Sequence, residues 1–155
     1  MEIRASIEVQ SPAESAFSLL CAVEKWPLWL PFFRSAKLSE PNEVLGPGSE
    51  IFVRSAIPGD ADQLFEVDRF IQNHHVSLVG AYSTRRRLDF RLESRSTSSR
   101  LHARLEYPAY GGQLGVLYNR FRSARKLKTQ FDEAVMHFKH LVEYDTTKDA
   151  LLADF

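Results

Sequence analysis

The sequence is poor in the residues that staple, coordinate or anchor. One cysteine, Cys21, stands in 155 residues, so no disulfide can close within the chain, which suits a reducing compartment. Cys21 follows Leu19 and Leu20 without a CxxC partner, and we expect a buried, unreactive thiol. Charge of one sign is also missing. Twenty basic residues balance twenty acidic ones, which removes the whole-molecule field that would draw in nucleic acid. No apolar run approaches the roughly 20 residues of a membrane-spanning helix. The opening MEIRASIEVQ is charged where a secretory signal would be apolar. Neither a phosphate-cradling glycine loop nor a GxSxG elbow occurs. The histidines make no metal case. His74 and His75 fall at a turn, His102 on a strand, and His137 and His140 on a helix, with Glu133 one turn before them and no third strong ligand. We therefore expect a soluble cytoplasmic protein without metal or cofactor.

What is present is enough for one core. The chain is 44% hydrophobic and 26% charged, and folded chains of this length bury roughly 70% of their unfolded surface. Ile3, Ala5, Ile7 and Val9 alternate with Glu2, Arg4, Ser6 and Glu8, predicting a strand with one wet face. Ser11, Pro12 and Glu14 then read as N-cap, first helical position and capping box. A second short helical piece leads to Trp26-Pro27-Leu28-Trp29-Leu30-Pro31, where two prolines call for extended or turned backbone. Strands follow at 33–39, 49–57, 63–72, 75–81, 84–95 and 99–107. Turns fall at Pro41-Asn42, Gly46-Pro47-Gly48, Pro58-Gly59-Asp60 and Asn73-His74. Such short connections favour antiparallel hairpins.

For the last hairpin a turn centred on Thr97-Ser98 pairs Leu92 with Ala103, Phe90 with Leu105 and Leu88 with Tyr107. It also pairs Glu93 with His102 and Arg91 with Arg104 on the other face. One face is then wholly apolar, although two like charges face each other. After Gly111-Gly112, Leu114, Leu117, Tyr118, Phe121, Ala124, Phe131, Val135, Phe138 and Val142 recur at spacings of mainly three and four. With no proline before Glu143, this predicts a helix of roughly 45 Å. Residues 1–145 read as one domain and 146–155 as a loosely ordered tail.

Strand, two short helices, antiparallel meander and long closing helix make a helix-grip arrangement in the α+β class. The segment Val9-Gln10-Ser11-Pro12-Ala13-Glu14 with Phe17 and Leu20, the run Glu24-Lys25-Trp26-Pro27-Leu28-Trp29-Leu30-Pro31, and Phe131, Ala134, Phe138-Lys139 and Glu143 carry a resemblance. They resemble the opening, the W-P-x-W-x-P segment and the closing helix of the START-like (SRPBCC) superfamily. That superfamily includes birch-pollen-allergen-like proteins, polyketide cyclases and coenzyme Q-binding proteins. The resemblance implies a cavity between a curved sheet and the closing helix, holding a lipid, isoprenoid quinone or polyketide. The fold by itself does not choose among these.

Strand parity places Tyr82, Thr84 and Arg86 on the face of Leu88, Phe90 and Leu92, so an inward Arg86 would anchor a carboxylate, enolate or phenolate. A bulge before Leu88 would instead turn Arg86 into solvent. Arg69 alternates with Phe65, Val67 and Ile71, while the competing parity, with Leu64 and Phe70, points it outward. On the long helix Tyr118, Phe121 and Arg125 share a face, Tyr118 offering a hydroxyl beside an apolar wall. Trp26 and Trp29 stand near the implied cavity mouth. Core packing is the plainer role for the aromatic residues. The run Arg120, Arg122, Arg125, Lys126 and Lys128 reads as a solvated helix face, or as a contact with an anionic membrane surface or a ribosome. The expected function is binding or transport of a small hydrophobic ligand. The rivals are a polyketide cyclase or aromatase, in which pocket arginine and tyrosine polarise carbonyls, and a membrane- or ribosome-associated partner-binding module.

Overall fold

In the computed structural model the described residues are 2–41, 43–56, 61–81, 86–106 and the helix 113–153. Side chains of that helix are described for 125–145, 147, 148 and 152. The elements run β1 (Glu2–Val9), α1 (Ala13–Cys21), a 3-10 helix (Val23–Leu28), β2 (Phe33–Leu38), β3 (Glu50–Ser55), β4 (Gln63–Ile71), β5 (His75–Gly80), β6 (Arg87–Arg95), β7 (Ser98–Glu106) and α2 (Gln113–Ala153). The seven strands form one curled antiparallel sheet in the order β1-β7-β6-β5-β4-β3-β2. The predicted α+β helix-grip architecture is thus the observed one.

Period-two patterning explains the sheet's two faces. Ile3, Ala5 and Val9 of β1, Leu101 and Ala103 of β7, Leu88, Phe90 and Leu92 of β6, and Val76 and Leu78 of β5 are all buried. Cross-strand pairs such as Val76↔Phe90 and Phe90↔Ala103 bring them onto one concave face. Against that face α2 lays Phe131, Ala134, Val135, Phe138 and Val142, each buried, at spacings of three and four. Polar ties set the helix's course. Lys128 Nζ donates to Arg4 O (2.5 Å), Lys139 Nζ to Glu8 O (3.0 Å), and Gln10 N–H to Glu143 Oε1 (2.9 Å). From Lys128 to Glu143 the helix rises about 22 Å, and from Arg4 to Gln10 the strand rises about 20 Å. The two therefore run side by side, and the helix satisfies backbone groups that the edge strand β1 would otherwise leave open.

Several local expectations are corrected. The β6–β7 turn falls on Ser96-Thr97, with Ser96 at φ 34°, and the register pairs Leu92 with Leu101, Phe90 with Ala103 and Leu88 with Leu105. This is two residues from the expected pairing, because a tight two-residue turn suits the strand twist better than a wider one. A two-residue slip preserves parity, so the apolar face survives. The expected Arg91–Arg104 opposition disappears, and Asp89 faces Arg104 instead. Helix α1 begins one residue later than expected. Pro12 occupies the N-cap without a side-chain cap, and its carbonyl accepts from Ser15 N–H and Ala16 N–H. Of the extended or turned backbone expected at the two prolines, the turned form is the one taken, with Pro27 inside the 3-10 helix and Pro31 in a turn. Helix α2 continues through Ala153, past the expected end at Glu143. The turn at Gly46-Pro47-Gly48 is present, with Gly48 at φ 78°, where a Cβ would strain the backbone. The expected turn at Pro58-Gly59-Asp60 lies outside the described residues.

Candidate functional site

The sheet's two ends differ. At one end α1 closes the concave face. Ser99 Oγ donates to Ser11 O (3.0 Å), and Phe17 meets Phe70 edge-on at 5.5 Å. At the other, β1 and β6 begin and β3, β5 and β7 finish, as Phe33↔Ser55, Phe65↔Gly80, Arg87↔Glu106 and Glu2↔Glu106 show. Because Lys128 sits beside Arg4, this is also the end from which α2 enters.

Between sheet and helix the tryptophans have separate tasks. Trp26 is fully buried, stacks on Phe33 at 6.2 Å, and donates its indole N–H to Leu20 O at 2.9 Å. It joins the 3-10 helix to α1 and is a packing residue. Trp29, 1% exposed, lies edge-on to both Phe90 (5.6 Å) and Phe138 (4.9 Å), bridging sheet and helix. Its indole Nε1 is buried and meets no acceptor among the described residues. Gln63 also follows the inward parity, pairing with Val53 beside Phe65, and its buried Oε1 likewise meets no donor among them. A buried polar atom left without a partner costs about 1–3 kcal/mol. Gln63 was not singled out from sequence. The signal was present, since it shares parity with Phe65 and Val67, but a strand's first residue reads as a loop polar.

Leu88 and Phe90 are buried on the concave face, as expected. Arg86 is half-buried, its carbonyl accepts from Gly80 N–H, and its guanidinium Nε is buried. Arg69 corrects the inward option. The β4–β5 register shifts between Val67 and Arg69, so Phe65 and Val67 point inward before this bulge and Phe70 after it. Both competing parities hold, each on its own half of the strand. Arg69 pairs with Ser77 on the convex face and is exposed. Arg125 is exposed as well, so it does not line the core. Tyr82, Thr84 and the side chains of Tyr118, Phe121, Arg120 and Arg122 lie outside the described residues. Lys126 is exposed, whereas Lys128 is engaged with Asp132 at 2.8 Å.

Cys21 is partly buried, and burial pushes its thiol up to about 11, which suppresses the reactive thiolate. Among the described residues no group of three or more His, Cys, Asp or Glu could hold a metal ion, and no helix is long and apolar enough to cross a membrane.

An antiparallel sheet curled about a long closing helix, with aromatic rings between them, is a helix-grip fold. Solved structures bear this out across nearly the whole chain. A protein of Thermus thermophilus is similar over 92% of this chain and 97% of its own, with 14% identity and a TM-score of 0.75. The Zhui aromatase/cyclase from Streptomyces sp. R1128 is similar over 92% and 93%, with 9% identity and a TM-score of 0.69. The di-domain aromatase/cyclase BexL, of the BE-7585A biosynthetic pathway, is similar over 92% of this chain and 46% of its own, with 19% identity and a TM-score of 0.67. No protein-family model matches the chain, and no curated protein matches it.

Proposed function

We propose that this protein binds a small, largely apolar molecule between the concave sheet face and α2. The observation that carries the reading is the Trp29 indole N–H, buried among aromatic rings without an acceptor among the described residues. A ligand oxygen placed there would satisfy the donor, and the surrounding rings would supply apolar contact. Affinity would come mainly from burial, about 25 cal/mol per Å² before the costs of association, with one or two hydrogen bonds fixing orientation. Gln63 and Arg86, at the end where α2 enters, are candidates for the ligand's other polar groups. Tyr82, Tyr118 and Phe121 complete the proposed lining. The test is native mass spectrometry of the purified protein after incubation with a tricyclic hydroxyanthraquinone, with tryptophan fluorescence followed in parallel. Stoichiometric adduct and saturable quenching are expected. An adduct-free spectrum with unchanged fluorescence would reject the reading.

A second reading, cyclisation or aromatisation of a poly-β-ketone, draws support from the likeness to two aromatase/cyclases and from the buried Nε of Arg86. A guanidinium there would stabilise an enolate as it forms. Arg86→Lys keeps the charge but loses the planar fork. Turnover that falls while ligand binding stays intact is the expected signature of this second activity.

A further inference from the structure

The convex face of the sheet carries a polar cluster that ligand binding on the concave side does not use. At its floor lie His75, Ser77 and Asp89, each at most 5% exposed. His75 Nε2 donates to Asp89 Oδ1 at 2.9 Å. The same carboxylate receives Arg91 Nε at 3.3 Å and an Arg104 Nη2 at 3.4 Å, while Arg87 Nη1 reaches Asp68 Oδ2 at 2.7 Å and Ser77 Oγ at 2.9 Å. Arg69 stands exposed beside them and forms no salt bridge among the described residues. Two depressions open above this floor, of about 640 Å³ and about 290 Å³, and they share Asp89, Arg91 and Arg104. Together they make one trough across β4, β5, β6, β7 and β1.

The trough keeps a basic excess although the protein as a whole has none. Among the described residues six basic side chains line it (Arg4, Arg69, Arg87, Arg91, Arg104 and Lys128) against Asp68, Asp89 and Asp132, while Glu2 and Glu106 pair with Arg4 and Arg104, which leaves one positive charge in excess. The buried carboxylate holds Arg91 and Arg104 in place without neutralising the group as a whole. Such tethering pre-organises guanidinium forks, whose planar donors match phosphate oxygens. From Arg69 on β4 to Arg104 on β7 is three strand spacings, about 14 Å, more than one phosphate can bridge. Among the described residues no Phe, Tyr or Trp lines the trough, so these residues offer none of the stacking platforms that single-stranded nucleic acids use.

We propose that this trough binds a small soluble polyphosphate, a molecule carrying at least two linked phosphate groups, independently of the concave site. Isothermal titration with inorganic tripolyphosphate at low salt tests it, with orthophosphate for comparison. Tripolyphosphate should bind more tightly than orthophosphate and weaken as salt is raised. Arg69→Ala, which disturbs no ion pair among the described residues, should raise the Kd roughly tenfold, the loss expected for one charge-assisted contact. Arg95→Ala, on the same strand as Arg91 but outside the trough, should leave the Kd unchanged. The proposal is overturned if tripolyphosphate fails to bind, if Arg69→Ala and Arg95→Ala weaken it equally, or if only an RNA oligonucleotide or anionic vesicles bind.

Discussion

The two faces of one sheet are built from alternate residues of the same strands, yet they store information differently. On the concave face Leu88, Phe90 and Leu92 meet Val76, Leu78, Leu101 and Ala103, an apolar surface whose residues do nearly interchangeable work. On the convex face Arg87, Asp89 and Arg91 meet Ser77, His75, Arg104 and His102, and each side chain has a particular partner. The concave face holds the fold together by area. The convex face is a set of individual contacts fixed by cross-strand register. Stability should therefore be lost steeply on one side and pairwise on the other.

The largest effect belongs to the concave side. Phe138→Ala removes a fully buried ring that touches Trp29 and should cost about 3–5 kcal/mol in urea unfolding. A cost below that of any convex-face substitution would break the comparison. Asp89→Ala should come next, at about 2–3 kcal/mol, since His75, Arg91 and Arg104 lose a shared acceptor. Arg95→Ala, exposed and among the described residues paired only with Glu93, should fall within about 0.5 kcal/mol of wild type.

Acid sharpens the contrast further. Burial lowers the His75 pKa below its usual 6.5. The Asp89 carboxylate opposes that shift, and the Arg91 and Arg69 guanidinium groups reinforce it. The unfolded chain therefore takes up this proton first, and stability should decline as the pH falls below about 6.5, reaching its limit once the folded pKa is passed. His75→Gln should remove that decline, as read from urea midpoints across the pH range. Glu143 answers at lower pH. Burial alone would raise its pKa, but the Lys139 ammonium and Gln10 N–H outweigh burial and hold it below the usual 4.5. Its contribution is full above that value and is lost as the pH falls through the lowered one.

Patterns that repeat were legible in the sequence, and contacts that depend on register were not. The order of elements and the inward set of β6 followed from parity, which a two-residue slip of the hairpin leaves intact. Phe131, Val135, Phe138 and Val142 followed from helical spacing. The direction of Arg69 did not, because one extra residue at the β4 bulge reverses the parity halfway along the strand. The partnership of His75 with Asp89 was hidden as well. It joins residues fourteen apart on two strands, and only the observed pairing brings them together. Trp29 was visible as an aromatic near the implied cavity mouth, with core packing as its plainer role. That its N–H lacks an acceptor among the described residues is a property of packing.

The two tryptophans supply an internal control for the central claim. In a ¹⁵N–¹H spectrum each gives one indole N–H signal, Trp26 hydrogen-bonded to Leu20 O and Trp29 without an acceptor among the described residues. Titration with the hydroxyanthraquinone should move the Trp29 signal downfield as its proton gains an oxygen partner, and leave that of Trp26 in place, with Trp29→Phe assigning the peak. A Trp29 signal that stays put while the compound binds, or two signals that move together, would contradict the account.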